Sequence, residues 1–199
     1  MDKAILYVHG KGGNAREAER YKTICSEYDV FGLDYKFSTP WETKGEFVAE
    51  YETLKGKYNS ITVVANSIGA FFTMNALGDK QVERAFFISP ILNMERLISD
   101  MMIWANITEQ ELCEKGQIET SFGETLSWEY LCYVRDNPIV WSTPTHILYA
   151  ENDNLTSYET VSHFAKKTNS SLTVMAEGEH WFHTQPQLEF LDNWLKSLI

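Results

Sequence analysis

Ala65-Asn66-Ser67-Ile68-Gly69 sets a serine between small residues, where the apolar run Ile61–Ala65 gives way to the nearly all-apolar stretch Ser67–Leu77. A nucleophilic serine needs that pattern when it sits on a sharp strand-to-helix turn. Only tiny side chains two positions away let the strand and the helix pass each other. Such a serine also opens a helix, whose free N–H groups and dipole favour developing negative charge. A plain helix N-cap has the same composition, so the pattern alone leaves that reading open.

A serine nucleophile needs a base, and the base needs an acid to orient it. Five histidines are available. His180 lies in Gly178-Glu179-His180, after the last apolar run and before the last helical pattern. That is the carboxyl end of a strand, where an α/β sheet gathers its reactive groups. The glycine lets the loop turn back over the sheet. His183 shares the loop, and its ordinary reading is a pocket wall or a cap on the final helix. His9 belongs to a glycine cluster, His146 to a strand and His163 to a helix. For the acid, Asp153 in Glu151-Asn152-Asp153-Asn154 comes just past the run His146–Ala150. Aspartates in turns are common for local reasons, so its meaning depends on its company.

His9-Gly10-Lys11-Gly12-Gly13 directly follows the run Ala4–Val8. Glycine clusters occur where the backbone must turn sharply or be closely approached. An oxyanion hole and an anion or nucleotide cradle both ask for that. The phosphate loop G-x-x-x-x-G-K-[ST] does not fit, since Lys11 comes too early and no Ser or Thr follows it. The dinucleotide pattern fits in part. Gly10-x-Gly12 is present, Ala15 is tolerated at the third position, and Asp34 ends the second run about where a ribose partner belongs. A nucleotide-binding domain therefore stays open on this loop alone, but it leaves Ser67, Asp153 and Gly178-x-His180 unexplained.

Six short runs must position these groups: Ala4–Val8, Val30–Tyr35, Ile61–Ala65, Ala85–Ser89, His146–Ala150 and Ser171–Met175. Most are rich in β-branched and aromatic residues without polar alternation, as in parallel strands covered on both faces. Helical spacing occupies Ala15–Tyr28, Lys44–Tyr58, Ser67–Leu77, Ser157–Lys167 and Pro186–Leu198. The alternation predicts a single three-layer α/β domain over 1–199, with a mostly parallel six-stranded sheet. The region 91–144 interrupts it as a helical insertion. It holds no convincing strand but helical segments at Met94–Trp104, Thr108–Lys115 and Leu126–Asp136.

The chain has 199 residues and a formal net charge of −11, from 17 basic and 28 acidic side chains. That balance argues against nucleic acid or an anionic membrane as partner, since both need clustered Lys and Arg. Cys25, Cys113 and Cys132 are an odd count without C-x-x-C spacing. They point to reduced thiols in the cytoplasm, with no disulfide framework and no zinc site. No stretch has the apolar length of a membrane span or the pattern of a signal peptide. The oligomeric state is left open.

Taken together, His9-Gly10 after the first strand, the elbow at 65–69, Asp153 and Gly178-x-His180 resemble the α/β-hydrolase superfamily. All four lie at strand ends, and Ser67, Asp153, His180 is that superfamily's order of nucleophile, acid and base. Alanine heads the elbow where glycine is commoner, and the usual two leading antiparallel strands are missing. The resemblance implies a serine hydrolase with no metal and no organic cofactor, acting on a small-molecule ester or thioester. Ser67 would be the nucleophile, His180 the base and Asp153 the acid. The oxyanion donors would be the backbone N–H groups of Lys11 (or Gly12) and Ile68. It further implies a cap at the insertion, with Trp104, Trp128 and Trp181 as candidate walls of the substrate pocket. A catalytically idle scaffold of the same fold, binding a small molecule, is the alternative.

Overall fold

A computed structural model of the chain describes residues 2–36 and 38–199. In chain order its elements are β1 (Lys3–Val8), a 3-10 turn (Ala15–Glu17), α1 (Ala18–Ile24), β2 (Asp29–Gly32), α2 (Pro40–Lys55) and β3 (Ser60–Asn66). There follow α3 (Ile68–Leu77), β4 (Arg84–Ile88), α4 (Met94–Ala105), α5 (Glu109–Lys115), β5 (Gln117–Glu119), β6 (Thr125–Ser127) and α6 (Trp128–Asp136). The chain ends with β7 (Thr145–Asn152), α7 (Tyr158–Thr168), β8 (Ser171–Glu179) and α8 (Gln185–Leu198).

Six strands form one sheet in the order β2-β1-β3-β4-β7-β8, and every neighbouring pair is parallel. The chain moves outward from β1 to β2, then returns to place β3 on the other side of β1. Sheets of this kind open a crevice at the strands' carboxyl ends where the order reverses. The glycine cluster after β1 and Ser67 after β3 flank that point.

Burial explains the apolar runs. Ala4 to Val8 are each no more than 1% exposed, because helices cover both faces of the sheet. Ile5 and Tyr7 share a core with Tyr21 of α1 and with Leu191, Trp194 and Leu195 of α8. On the opposite face α2 and α3 pack together, with the rings of Tyr35, Phe47 and Phe72 5.3 to 6.3 Å apart. Helix, sheet and helix make the three expected layers.

Several boundaries differ from the sequence reading for identifiable reasons. The helical spacing over Ala15–Tyr28 resolves into the 3-10 turn and the shorter α1, started by a reciprocal cap between Asn14 and Glu17. β8 runs past Met175 to Glu179; it is an edge strand, so its polar end need not be buried. A register shift between Ala150 and Asn152 marks where β7 and β8 stop running evenly.

Asn93–Ile139 form a second compact unit. It contains α4, α5 and α6, as the insertion predicts, and also an antiparallel hairpin of β5 and β6 that the sequence reading lacked. Each of its strands has only three residues, too few for alternation to register. Gly123, at φ 84°, makes the turn possible. Inside the unit Arg135 donates to Glu95 at 2.8 Å and forks onto both carboxylate oxygens of Glu109 at 2.7 and 2.9 Å. Cys25, Cys113 and Cys132 are free thiols. No helix among the described residues is long and apolar enough to cross a membrane.

Candidate active site

Ser67 stands alone between β3 and α3, with φ 50° and ψ −122°. Non-glycine residues seldom adopt such backbone, which costs about 1–3 kcal/mol and persists only when the surroundings enforce it. Here they do. The Ser67 N–H donates to the Ile88 carbonyl at 2.9 Å, and its carbonyl accepts from Ala70 and Ile91, both at 3.1 Å. Gly69 is sterically required, since a Cβ there would stand 2.4 Å from the His9 carbonyl oxygen. Ser67 occupies the N-cap position of α3, yet its hydroxyl makes no capping bond. Its Oγ lies instead 2.8 Å from His180 Nε2.

The other ring nitrogen, His180 Nδ1, is 2.7 Å from Asp153 Oδ2. The Asp153 side chain is fully buried, and its second oxygen accepts the N–H groups of Leu155 at 2.8 Å and Thr156 at 3.0 Å. A carboxylate so held keeps one oxygen for the imidazole. The two loops also touch upstream, where Glu151 accepts the N–H of Glu177 at 2.8 Å. Glu177 is a non-glycine residue at φ 56°. That kink turns the chain towards His180.

The glycine loop closes as a tight turn in which Gly13 N–H donates to the Gly10 carbonyl at 3.1 Å. Gly12 at its third position has φ 76°, as a type II turn requires. Gly10 lies against the serine, so that a Cβ there would be 3.2 Å from Ser67 Cβ. The backbones of Lys11 and Ile68 therefore belong to two segments that meet beside Ser67. His9 is taken up in holding this loop. Its ring stacks on Tyr35 at 4.3 Å, and the Tyr35 hydroxyl donates to its carbonyl at 2.8 Å.

The remaining histidines are engaged elsewhere. His183 Nδ1 is 2.7 Å from the Trp181 carbonyl, its ring stacks on Trp181 at 4.8 Å, and its N–H donates to Gln187 of α8 at 3.0 Å. His146 stacks on Phe86 at 5.1 Å and meets Ser171 Oγ at 2.6 Å; burial and then Arg84 hold it below the usual histidine range. His163 is exposed on α7.

A cavity of about 720 Å³ opens over Ser67 and His180. Ile88, Leu155, Phe182, Leu188 and Leu191 give it apolar walls, and the exposed Trp181 also lines it. Trp104 and Trp128 are not among its lining residues. Both belong to the second unit, where Trp104 packs edge-on against Phe122 at 6.3 Å. Polar groups that the sequence reading did not assign to the pocket also line the cavity: Tyr7, Glu17, Arg20 and Asn66. Arg20 is bound by Asp192 and by the Leu188 carbonyl, each at 2.9 Å. Glu17 carried one signal in sequence, the Asn14-x-x-Glu17 spacing of a capping box. Tyr7 carried none.

The sequence matches no family model, and no curated protein matches it. Solved structures do resemble it. Est1E from Butyrivibrio proteoclasticus superposes with a TM-score of 0.77 at 15% identity, covering 99% of this chain and 87% of that one. A second structure of Est1E, with ferulic acid bound, gives a TM-score of 0.72 at 16% identity over 98% and 87% of the two chains. Alpha/beta hydrolase domain-containing protein 10 from mouse gives 0.78 at 14% identity, over 98% and 88%. The chain has the α/β-hydrolase fold.

Proposed function

We propose that this protein is a serine hydrolase that cleaves a small carboxylic ester or thioester through an acyl-enzyme intermediate. The observation that carries the reading is the unbroken chain Ser67 Oγ, His180, Asp153, at 2.8 and 2.7 Å, on a strained elbow whose serine does not cap its helix. A serine kept merely as an N-cap would spend its hydroxyl on α3.

Asp153, accepting from Nδ1–H, holds the imidazole in the tautomer whose Nε2 is free to accept a proton. Ser67 Oγ attacks the carbonyl carbon while its proton passes to His180 Nε2. Negative charge then develops on the former carbonyl oxygen. In this reading the backbone N–H groups of Lys11 and Ile68 receive it, each donor contributing roughly 3–4 kcal/mol. The intermediate collapses, the C–O or C–S bond breaks, and His180 protonates the departing alcohol or thiol. Water attacks the acyl-enzyme as His180 accepts its proton, and the second tetrahedral intermediate collapses to the carboxylic acid while His180 returns that proton to Ser67 Oγ. The steps balance with water as sole co-reactant. The apolar walls and Trp181 would hold the acyl or leaving group. Est1E's bound ferulic acid, an aromatic acid, makes esters of aromatic carboxylic acids the first substrates to try.

A fluorophosphonate probe tests the nucleophile directly. Wild-type protein is expected to be labelled at Ser67, and Ser67→Ala to lose both labelling and at least about a thousandfold in ester turnover. Near-normal turnover by a folded Ser67→Ala variant would sink the reading.

A further inference from the structure

Tyr7 lies in the first strand, 60 residues before Ser67 in the numbering, and the hydrolytic mechanism above gives it no task. Its ring is 1% exposed and packs against Tyr21 at 4.9 Å. Its hydroxyl, however, joins two parts of the site. It accepts a hydrogen bond from Asn66 Nδ2 at 2.9 Å, and Asn66 is the residue immediately before the strained Ser67. It donates to Glu17 Oε2 at 2.5 Å. The other Glu17 oxygen accepts the N–H of Asn14 at 3.1 Å, which anchors the segment following the glycine turn. The elbow and the glycine loop are thus bolted together through one phenol.

We infer that Tyr7 is a positioning residue, whose hydroxyl fixes the Ser67 elbow against the glycine loop that presents the Lys11 N–H. The inference rests on the serine-hydrolase reading for its catalytic consequence. Three observations support it. The Asn66 Oδ1 is buried without a hydrogen-bond partner among the described residues, which leaves Nδ2 to fix the side chain through Tyr7. Removing the hydroxyl breaks both bonds at once, taking the acceptor from Asn66 Nδ2 and the donor from Glu17 Oε2. Burial, with Tyr21 and Glu17 adding to it, also pushes the Tyr7 phenol far above its ordinary range, so it remains a donor at any working pH. The nucleophile and one oxyanion donor lie on the two segments it joins. Their mutual placement is the quantity to which acyl transfer is most sensitive, and a displacement of about 1 Å can cost a hundredfold.

Tyr7→Phe keeps the ring and removes the bolt. With 4-nitrophenyl acetate, kcat per probe-titrated active site is expected to fall about ten- to a hundredfold while KM moves less than about threefold. Glu17→Ala should lower kcat too, and the double variant should be no worse than Tyr7→Phe alone, because both cut one chain. A lowered Tm with kcat per titrated site unchanged, or additive losses in the double variant, overturns the inference. If Tyr7→Phe does not fold, Asn66→Ala and Glu17→Ala are combined in the same way, with the same two outcomes. If wild-type protein shows no Ser67-dependent turnover, the hydrolase reading falls and the bolt is judged by hydrogen exchange. The amides of residues 66–69 should then exchange at least about tenfold faster in Tyr7→Phe, and unchanged exchange overturns the inference.

Discussion

Ser67 is held by backbone, whereas the histidine that meets it is held by side chains. On the serine's side, β1, β3 and α3 are packed so closely that Gly69 has no room for a methyl group and Ser67 must adopt φ 50°. On the other side, His180 sits past the end of edge strand β8, and its ring is directed by the Asp153 carboxylate. Asp153 in turn is directed by two backbone N–H groups from its own loop. The first arrangement is rigid because it is crowded. The second is rigid only while its hydrogen bonds are made. A nucleophile can therefore be placed by sterics alone, but a group that must gain and lose a proton is better held by polar partners.

Losing the proposed base should have the largest effect. His180→Ala is expected to lower kcat by roughly 10³–10⁶-fold with little change in Tm, while His183→Ala costs less than about tenfold. Steady-state kinetics on both variants decides it, and the reverse ranking would move the base to His183 and dissolve the contrast.

Asp153 should do two things at once. Asp153→Ala is expected to lower kcat roughly 10³–10⁴-fold and also to destabilise the fold by about 2 kcal/mol, as the Leu155 and Thr156 N–H groups lose their acceptor. Urea denaturation beside the kinetics separates the two. Unchanged stability would mean that the loop is crowded into place like the elbow.

The smallest effect tests the elbow. Ser67→Gly removes the proposed nucleophile but suits the positive φ, so unfolding free energy should rise by about 0.5–1 kcal/mol. A variant less stable than wild type would show that the backbone there is unstrained.

That same contrast decides what could be read in the sequence. Crowding writes a local pattern: Ala65-x-Ser67-x-Gly69 is visible because a methyl or nothing is all the packing admits. The acid was legible only by its order after Ser67 and before His180, since an aspartate closing its own turn looks like any other. Tyr7 was not legible at all. In Ala4-Ile5-Leu6-Tyr7-Val8 it reads as one more buried residue, and it is one; nothing nearby in sequence tells where its hydroxyl ends. The hairpin of β5 and β6 escaped for a different reason, being too short and too polar to show a period.

Ser67 and His180 are 113 positions apart, and Tyr7 and Asn66, on paired strands, are 59 apart. Parallel pairings over such spans form slowly, because long loops must close before any contact rewards them. The helices and single strands can appear early without bringing any two of these groups together. Turnover by the proposed Ser67 site would then be an end-point signal in refolding, silent until the last long-range closure and so a stricter gauge of nativeness than helical content.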